Sequence, residues 1–279
     1  MTVISELYHY PVKSCAGVRV AAGFLGPAGL EHDRRFLVTD LAGTFRSQRR
    51  DPLLATIQPA VHGDRLTLAA PRVGTIEVPV DVSVPRRPVT LHGTPFTGAD
   101  QGAEVAAWLS EVLGAPSRLV CVPPEHQRVT DGRTPGTSSY ADSCPVHVLS
   151  AAAVRELNDR IAARGGKPVP MSRFRPNIVV DDCPAHEEDH ALRITAGGAE
   201  LGYAKAAIRC VITMTDQRTG ARSGPEPLRT LASYRRADGG VAFGAKYAVL
   251  RPGPIATGAV LAVERSAVDL SGVDAVPVS

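Results

Sequence analysis

The sequence is poor in the features that most often reveal a function. Its five cysteines (Cys15, Cys121, Cys144, Cys183 and Cys210) are an odd number, form no CxxC pair, and come no closer than the 23 positions between Cys121 and Cys144. That spacing excludes a disulfide framework and a zinc ribbon, and free thiols point to a reducing compartment. No apolar run approaches the ~20 residues of a membrane span. Residues 1–6 carry no basic segment leading into an apolar one, so no signal peptide is expected. The expectation is a cytoplasmic protein with no membrane partner. Lysine is scarce, four of the 31 basic residues; with the many alanines and arginines, this is the composition of a GC-rich bacterial genome. A net charge of +3 is too small to imply a nucleic-acid polymer as partner, and it leaves a local anionic ligand open. There is no internal repeat and no low-complexity block.

What is present is an ordinary globular composition, 44% hydrophobic and 21% charged over 279 residues, enough for two modest domains without staples. Short β-prone runs punctuated by Gly and Pro fill the first hundred residues (2–10, 18–24, 36–39, 55–61, 65–69, 75–80 and 88–91), the spacing of a β-sandwich or barrel. Asp100 is placed to cap a helix over 101–113, with Val105, Trp108, Leu109, Val112 and Leu113 on its apolar face and Gly114 ending it. Residues 123–139, rich in Pro, Gly, Ser, Thr and Arg, are expected to be a linker or mobile loop near a domain boundary. Ser150 caps a second predicted helix over 151–163, in which Glu156 and Arg160 stand in the favourable i, i+4 order. Further strands are expected at 146–149, 178–181, 191–195, 199–203, 207–213 and 259–264, a short helix at 225–234, and a loosely ordered tail from Ser266.

The stretch with the most chemistry is Ile208-Arg209-Cys210-Val211-Ile212-Thr213. Its β-branched residues favour a strand, which puts Cys210 where a loop enters a sheet. A thiolate is a nucleophile or a soft-metal ligand, and the cation beside it favours that form; the alternative is a small buried hydrophobe. Lys13 and Ser14, in the turn after Pro11, offer donors to an anion. Arg34 and Arg35 could hold a phosphate or pair with Asp33. One tempting motif fails on context. His186-Glu187-Glu188-Asp189-His190 has the HExxH spacing, but Pro184 precedes it, no apolar helix face accompanies it and a strand pattern follows. It reads as an acidic surface turn.

The clusters Tyr10-Pro11-Val12-Lys13-Ser14-Cys15, Asp33-Arg34, Phe174-Arg175-Pro176-Asn177-Ile178-Val179, Arg209-Cys210, Asp216 with Thr219-Gly220, Glu226-Pro227-Leu228, Ser233-Tyr234-Arg235 and Phe243-Gly244 resemble, in their order and spacing, the MOSC family. Within that family the similarity is to the amidoxime-reducing branch, which has mitochondrial and bacterial members. The resemblance covers about residues 2 to 264.

It implies a mainly β fold with a few helices (α+β): a β-rich MOSC N-terminal domain over 1–125, a β-barrel MOSC domain over 126–265, and a tail over 266–279. It implies a molybdenum–molybdopterin cofactor whose metal is held by Cys210, with Lys13, Ser14, Arg34, Arg175, Arg209 and the backbone at Ile208 holding the pterin and its phosphate. Asp142 and Ser143 match a family position near the metal, and Asp142 is expected to relay a proton. Cys144 puts a second thiol nearby, a weaker rival to Cys210. The implied activity is reduction of amidoximes, hydroxylamines or N-hydroxylated bases with electrons from a separate ferredoxin or flavin reductase. The alternative is a molybdenum cofactor carrier or sulfuration module. No pyridoxal phosphate and no iron–sulfur cluster are expected in this chain, which lacks the length and cysteines for them.

Overall fold

From Ala199 to Arg209 the sequence holds one β-branched residue, Ile208, among several helix formers, yet the chain makes one eleven-residue strand there, because pairing on both edges overrides local propensity. It pairs antiparallel with the twelve-residue strand Gly240–Arg251. This long hairpin is the backbone of a computed structural model that describes residues 1–273. Around it one sheet is assembled in the order Val18–Val20, Val3–His9, Ile178–Asp181, Val146–Ser150, Gly240–Arg251, Ala199–Arg209, Ala191–Ala196, Leu261–Arg265. Its ends meet: Ile4 N donates to Ala259 O and Leu261 N to Thr2 O, so the sheet closes as a barrel. Leu7, Val148, Ile178, Ile194, Leu201, Tyr203 and Tyr247 fill it.

The other unit is also β-rich. A four-stranded antiparallel sheet (Phe36–Thr39, Arg118–Cys121, Thr94–Asp100, Arg86–Leu91) and a three-stranded one (Gln58–His62, Arg65–Ala70, Gly74–Pro79) enclose a core of Phe36, Val38, Leu54, Ile57, Leu66 and Leu68. Helix Ala103–Leu113 seals that core with Val105, Trp108 and Leu109. The fold is thus mainly β with few helices, as the sequence implies. The first strand, Val3–His9, sits in the barrel beside Ile178–Asp181, so the chain enters through one unit and crosses to the other.

Several local expectations are corrected. Asp100 does not cap the first helix; Gly102 holds that place, and the Asp100 carboxylate is taken by Arg87 and Arg118 at 2.9 and 2.5 Å. Asp100 ends the strand Thr94–Asp100 two positions short of the cap, and its Oδ1 also accepts from Gly102 N at 2.9 Å. The second helix, Ala151–Ala162, does start at Ser150, whose Oγ accepts from Ala153 N. The predicted short helix shrinks to Leu228–Leu231. Residues 123–139 are not a free linker. They contain the paired strands Val129–Thr130 and Gly136–Thr137, and they dock on the long hairpin through Arg133 N to Ala204 O and Thr134 Oγ1 to Tyr203 O. The tail is tied down as far as Val273 by Ser266 N to His190 O, Leu270 N to Asp189 O and a bridge from Val273 to Ala237; its remainder, 274–279, lies outside the described residues.

The HExxH stretch is a three-residue 3₁₀ turn, Glu187–Asp189, and not a surface one. Glu188 and Asp189 are each 1% exposed. Asp189 meets Arg235 at 2.5 Å and Glu187 meets Arg265 at 2.6 Å, while Glu188 accepts from Ser150 N. The polar run is legible, but the cations that draw it inward come from sequence-distant segments. Among the described residues no group of three or more His, Cys, Asp or Glu could hold a metal ion, and no described helix is long and apolar enough to cross a membrane.

Candidate functional site

Cys210 is the hinge of the site. The strand Ala199–Arg209 ends one residue before it, and Val211–Met214 form a 3₁₀ turn rather than the expected continuation to 213. Cys210 therefore leaves a sheet instead of entering one. Thr213 explains the stop: its N and Oγ1 both donate to Cys210 O, at 3.0 and 2.9 Å, closing the turn that a strand would need open. The thiol is half-buried, and Arg49 Nη2 approaches its Sγ to 3.5 Å.

All nine residues expected at the site line one cavity of about 180 Å³: Lys13, Ser14, Arg34, Asp142, Ser143, Arg175, Ile208, Arg209 and Cys210. Cys144 lines it too, but it is buried with its Sγ against Asp131 O, and burial pushes its thiol up. The cavity lies between the units. Lys13, Ser14 and Arg34 come from loops flanking Phe36–Thr39, Asp142 and Ser143 precede Val146–Ser150, Arg175 precedes Ile178–Asp181, and Arg209 and Cys210 end the long strand.

Three of these residues, Ser14, Arg34 and Arg175, hold positive φ (70°, 46° and 56°) without being glycine. Such strain persists only where surroundings enforce it, and it clusters at functional sites. Here the enforcement is visible. The Tyr10 ring lies 4.3 Å from both the Arg34 and Arg175 guanidinium carbons, with its hydroxyl donating to Pro176 O. Arg34 is forked on Asp33 at 2.6 and 2.8 Å, and Asn177 ties the pair to the backbone of Tyr8 and His147. Gln48 donates to Ser14 O at 2.7 Å and joins Gln217, which accepts from Arg175. Against His147, which lines the cavity, Gly244 has φ 81°, and a Cβ there would sit 2.4 Å from His147 Nε2.

The electrostatics are one-sided. Six cationic side chains line the cavity (Lys13, Arg34, Arg49, Arg175, Arg209, Lys246) against a single carboxylate, Asp142. That carboxylate is already claimed: Lys13 Nζ and His92 Nε2 both meet its Oδ1, at 2.5 and 3.1 Å. Partial burial would raise the Asp142 carboxyl, but the Lys13 charge and the bonds from His92 and Lys13 outweigh it and hold the group well below the usual carboxylate range. Lys13 is 3% exposed, and burial pulls it down to about 8 against the pull of Asp142. Burial likewise lowers Arg209 to about 10; its Nη2 donates to Phe174 O and its buried Nε has no partner.

Four contributors were not anticipated from sequence: Arg49, His92, Lys205 and Lys246. Lys246 and Lys205 carry a readable signal, each being a charge in the middle of a strand whose other charges lie at its ends. Arg49 and His92 carried none, since each sits in a polar turn of the other unit.

The fold and the cation-lined cleft define a two-unit β protein, and the chain belongs to the MOSC family. The MOSC N-terminal beta barrel domain matches residues 1–116 and the MOSC domain residues 135–262. Mitochondrial amidoxime-reducing component 1 of Homo sapiens is 34% identical over 248 residues, covering 84% of this chain and 72% of that protein. The Mus musculus protein of the same name is 33% identical, covering 91% of this chain and 80% of that one. Molybdenum cofactor sulfurase of Danio rerio is 33% identical over 261 residues, which are 86% of this chain but 31% of that protein. A solved chain, the YUAD protein from Bacillus subtilis, aligns over 94% of both chains at 13% identity and a TM-score of 0.40.

Proposed function

We propose that this chain holds a molybdenum–molybdopterin cofactor through Cys210 and reduces N-hydroxylated compounds with electrons from a separate donor protein. The observation that carries the reading is the donor set: six cations and a half-buried thiol converge on one cavity whose only carboxylate is already bonded. Lys13 and Arg34 have carboxylate partners and Arg49 is exposed, but Arg175, Arg209 and Lys246 are part-buried without one among the described residues; that is costly, and a ligand bearing a phosphate offsets it. The orphaned Arg209 Nε and the strained Ser14, Arg34 and Arg175 fit the same ligand. The names of the relatives, amidoxime-reducing components and a molybdenum cofactor sulfurase, support it. We place the boundary between the two units at residues 125 and 126.

Lys13, Arg34, Arg175 and Arg209 would hold the phosphate and pterin by charge-assisted bonds, with Ser14, Ser143 and the backbone at Ile208 completing the cradle. When bound, the group supplies two-electron chemistry. The reaction replaces an N–O bond with an N–H bond: two electrons come from the donor protein and two protons are consumed, one ending on nitrogen and the other leaving with the hydroxyl as water. Asp142 is held ionised, so it moves protons by accepting them at Oδ1, from Lys13 or from His92, and presenting them to the cleft.

The test is expression in a host that makes the cofactor, followed by elemental analysis and assay of benzamidoxime with a reduced viologen. The expected outcome is near-stoichiometric molybdenum and turnover in the wild type, with both lost in Cys210→Ala. Full molybdenum in Cys210→Ala would refute the ligand assignment. Bound molybdenum without turnover would favour the carrier or sulfuration reading.

A further inference from the structure

A second cavity, of about 280 Å³, opens beside the first. It shares Arg49, Asp142, Ser143, Ile208 and Lys246 with the inner one and adds His92 and Lys205. Three of the chain's four lysines therefore stand on these two cavities, in a protein that uses arginine almost everywhere else.

The placement of two of them is unusual. Lys205 and Lys246 are direct cross-strand partners in the long hairpin, in a register set by the bulge between Tyr203 and Lys205. Like charges directly opposite each other are destabilising in a sheet, and bulges re-aim side chains beside sites. Lys205 finds Asp131 at 2.6 Å. Lys246 finds only a neutral hydroxyl, Ser143 Oγ at 2.7 Å, and the Arg49 side chain only Cys210 Sγ at 3.5 Å. Among the described residues neither makes an ion pair with a carboxylate, and the one carboxylate in the cavity, Asp142, is held by Lys13 and His92. Among the described residues the apolar lining is limited to Ala206 and Ile208, with no Phe, Tyr or Trp side chain, and the His92 ring is already packed on Phe45.

We propose that the outer cavity seats an oxyanion of the substrate, a carboxylate or phosphate held by Lys246 and Arg49, so that the site favours N-hydroxylated compounds that carry negative charge. The inference rests on the reductase reading and narrows its substrate class. Because the two cavities share Arg49, Asp142 and Lys246, an anion seated in the outer one leaves the rest of a small molecule facing the inner one.

The experiment compares benzamidoxime with 4-carboxybenzamidoxime on the cofactor-loaded full chain, with a reduced viologen as donor and rates expressed per molybdenum. The expected ratio of kcat/KM favours the carboxylated compound by about ten-fold, the equivalent of one net charge-assisted hydrogen bond. That ratio is expected to fall toward one in Lys246→Met and at high ionic strength, and to fall less in Lys205→Met, whose lysine is already paired. Equal kcat/KM for the two compounds, or a preference untouched by Lys246→Met, overturns the inference while leaving the reductase reading standing. Should neither compound be reduced, the reductase reading fails instead. Equilibrium binding of 4-carboxybenzamidoxime to the same loaded protein then decides the inference: saturable binding weakened by Lys246→Met supports it, and binding that is absent or unchanged in the variant overturns it.

Discussion

In the turn Glu187–Asp189 three carboxylates are buried, and two of them are met by sequence-distant arginines, the loop residue Arg235 and the strand residue Arg265. In the cleft around Cys210 six cations line a cavity with one carboxylate among the described residues; Lys13 meets it, Arg34 is paired with Asp33 outside it, and four have no carboxylate partner there. Both regions break the rule that charge stays in water, and they break it in opposite senses. The turn resolves its charge inside the protein, so its purpose is structural. The cleft leaves its charge unresolved, so the balancing charge must come from outside. The difference lies in where the partner of each ion stands, and it yields measurements that can break the comparison.

The largest effect is expected at the turn. Arg235 Nη2 meets Asp189 Oδ2 at 2.5 Å, and Arg235 Nε donates to Ala242 O. Arg235→Met leaves Asp189 without its counter-ion in a place where it is 1% exposed. The expected loss is about 3–5 kcal/mol, read as a drop in the urea midpoint without the cofactor. The double variant Arg235→Met/Asp189→Leu is expected to recover most of it, because the uncompensated charge is gone. A single variant as stable as the wild type would mean that the turn is no more self-sufficient than the cleft.

The next effect depends on pH. Burial, reinforced by Asp189, pushes the Glu188 carboxyl up to about 7. A folded-state value above the unfolded one means that the folded protein binds the proton more tightly. The stabilisation is complete below the unfolded carboxylate range and is lost as pH rises toward 7. His186 works against this, since burial pulls it down to about 3, so the informative quantity is the difference between Glu188→Gln and the wild type. The variant keeps the acceptor for Ser150 N. It is expected to gain about 1–3 kcal/mol on the wild type between pH 4.5 and pH 7.5. A difference that does not change with pH would show that Glu188 does not titrate in this range.

The same contrast explains how much could be read from sequence. Alternation and caps within one segment are local properties, and they foretold the β-rich fold, the helix from Ser150 and the apolar face over Val105, Trp108 and Leu109. The family resemblance names nine of the residues that line the inner cavity. What could not be read depends on register. Nothing local says that Lys205 faces Lys246, that Arg49 reaches Cys210 from the other unit, or that Arg235 draws Asp189 inward. The acidic turn reads as surface because its own residues are polar, whereas its burial is decided by arginines some 46 and 78 positions further along the chain.

The smallest expected effect tests the cleft in the sense opposite to the turn. If the charge on Lys246 serves a ligand rather than the fold, removing it from the ligand-free protein should cost nothing. Its methylene stem packs in a strand, and methionine preserves that volume while abolishing the repulsion from Lys205 directly across the ladder. The hydrogen bond to Ser143 Oγ is lost, but Ser143 is part-exposed and water replaces the donor. Lys246→Met is therefore expected to raise the stability of the cofactor-free protein by about 0.2–1 kcal/mol, measured by urea unfolding at low salt. The gain should shrink as salt screens the pair. A loss of 2 kcal/mol or more would place Lys246 among the groups that hold the barrel together, and the cleft would then resemble the turn: charge buried for structure, with no vacancy for an anion.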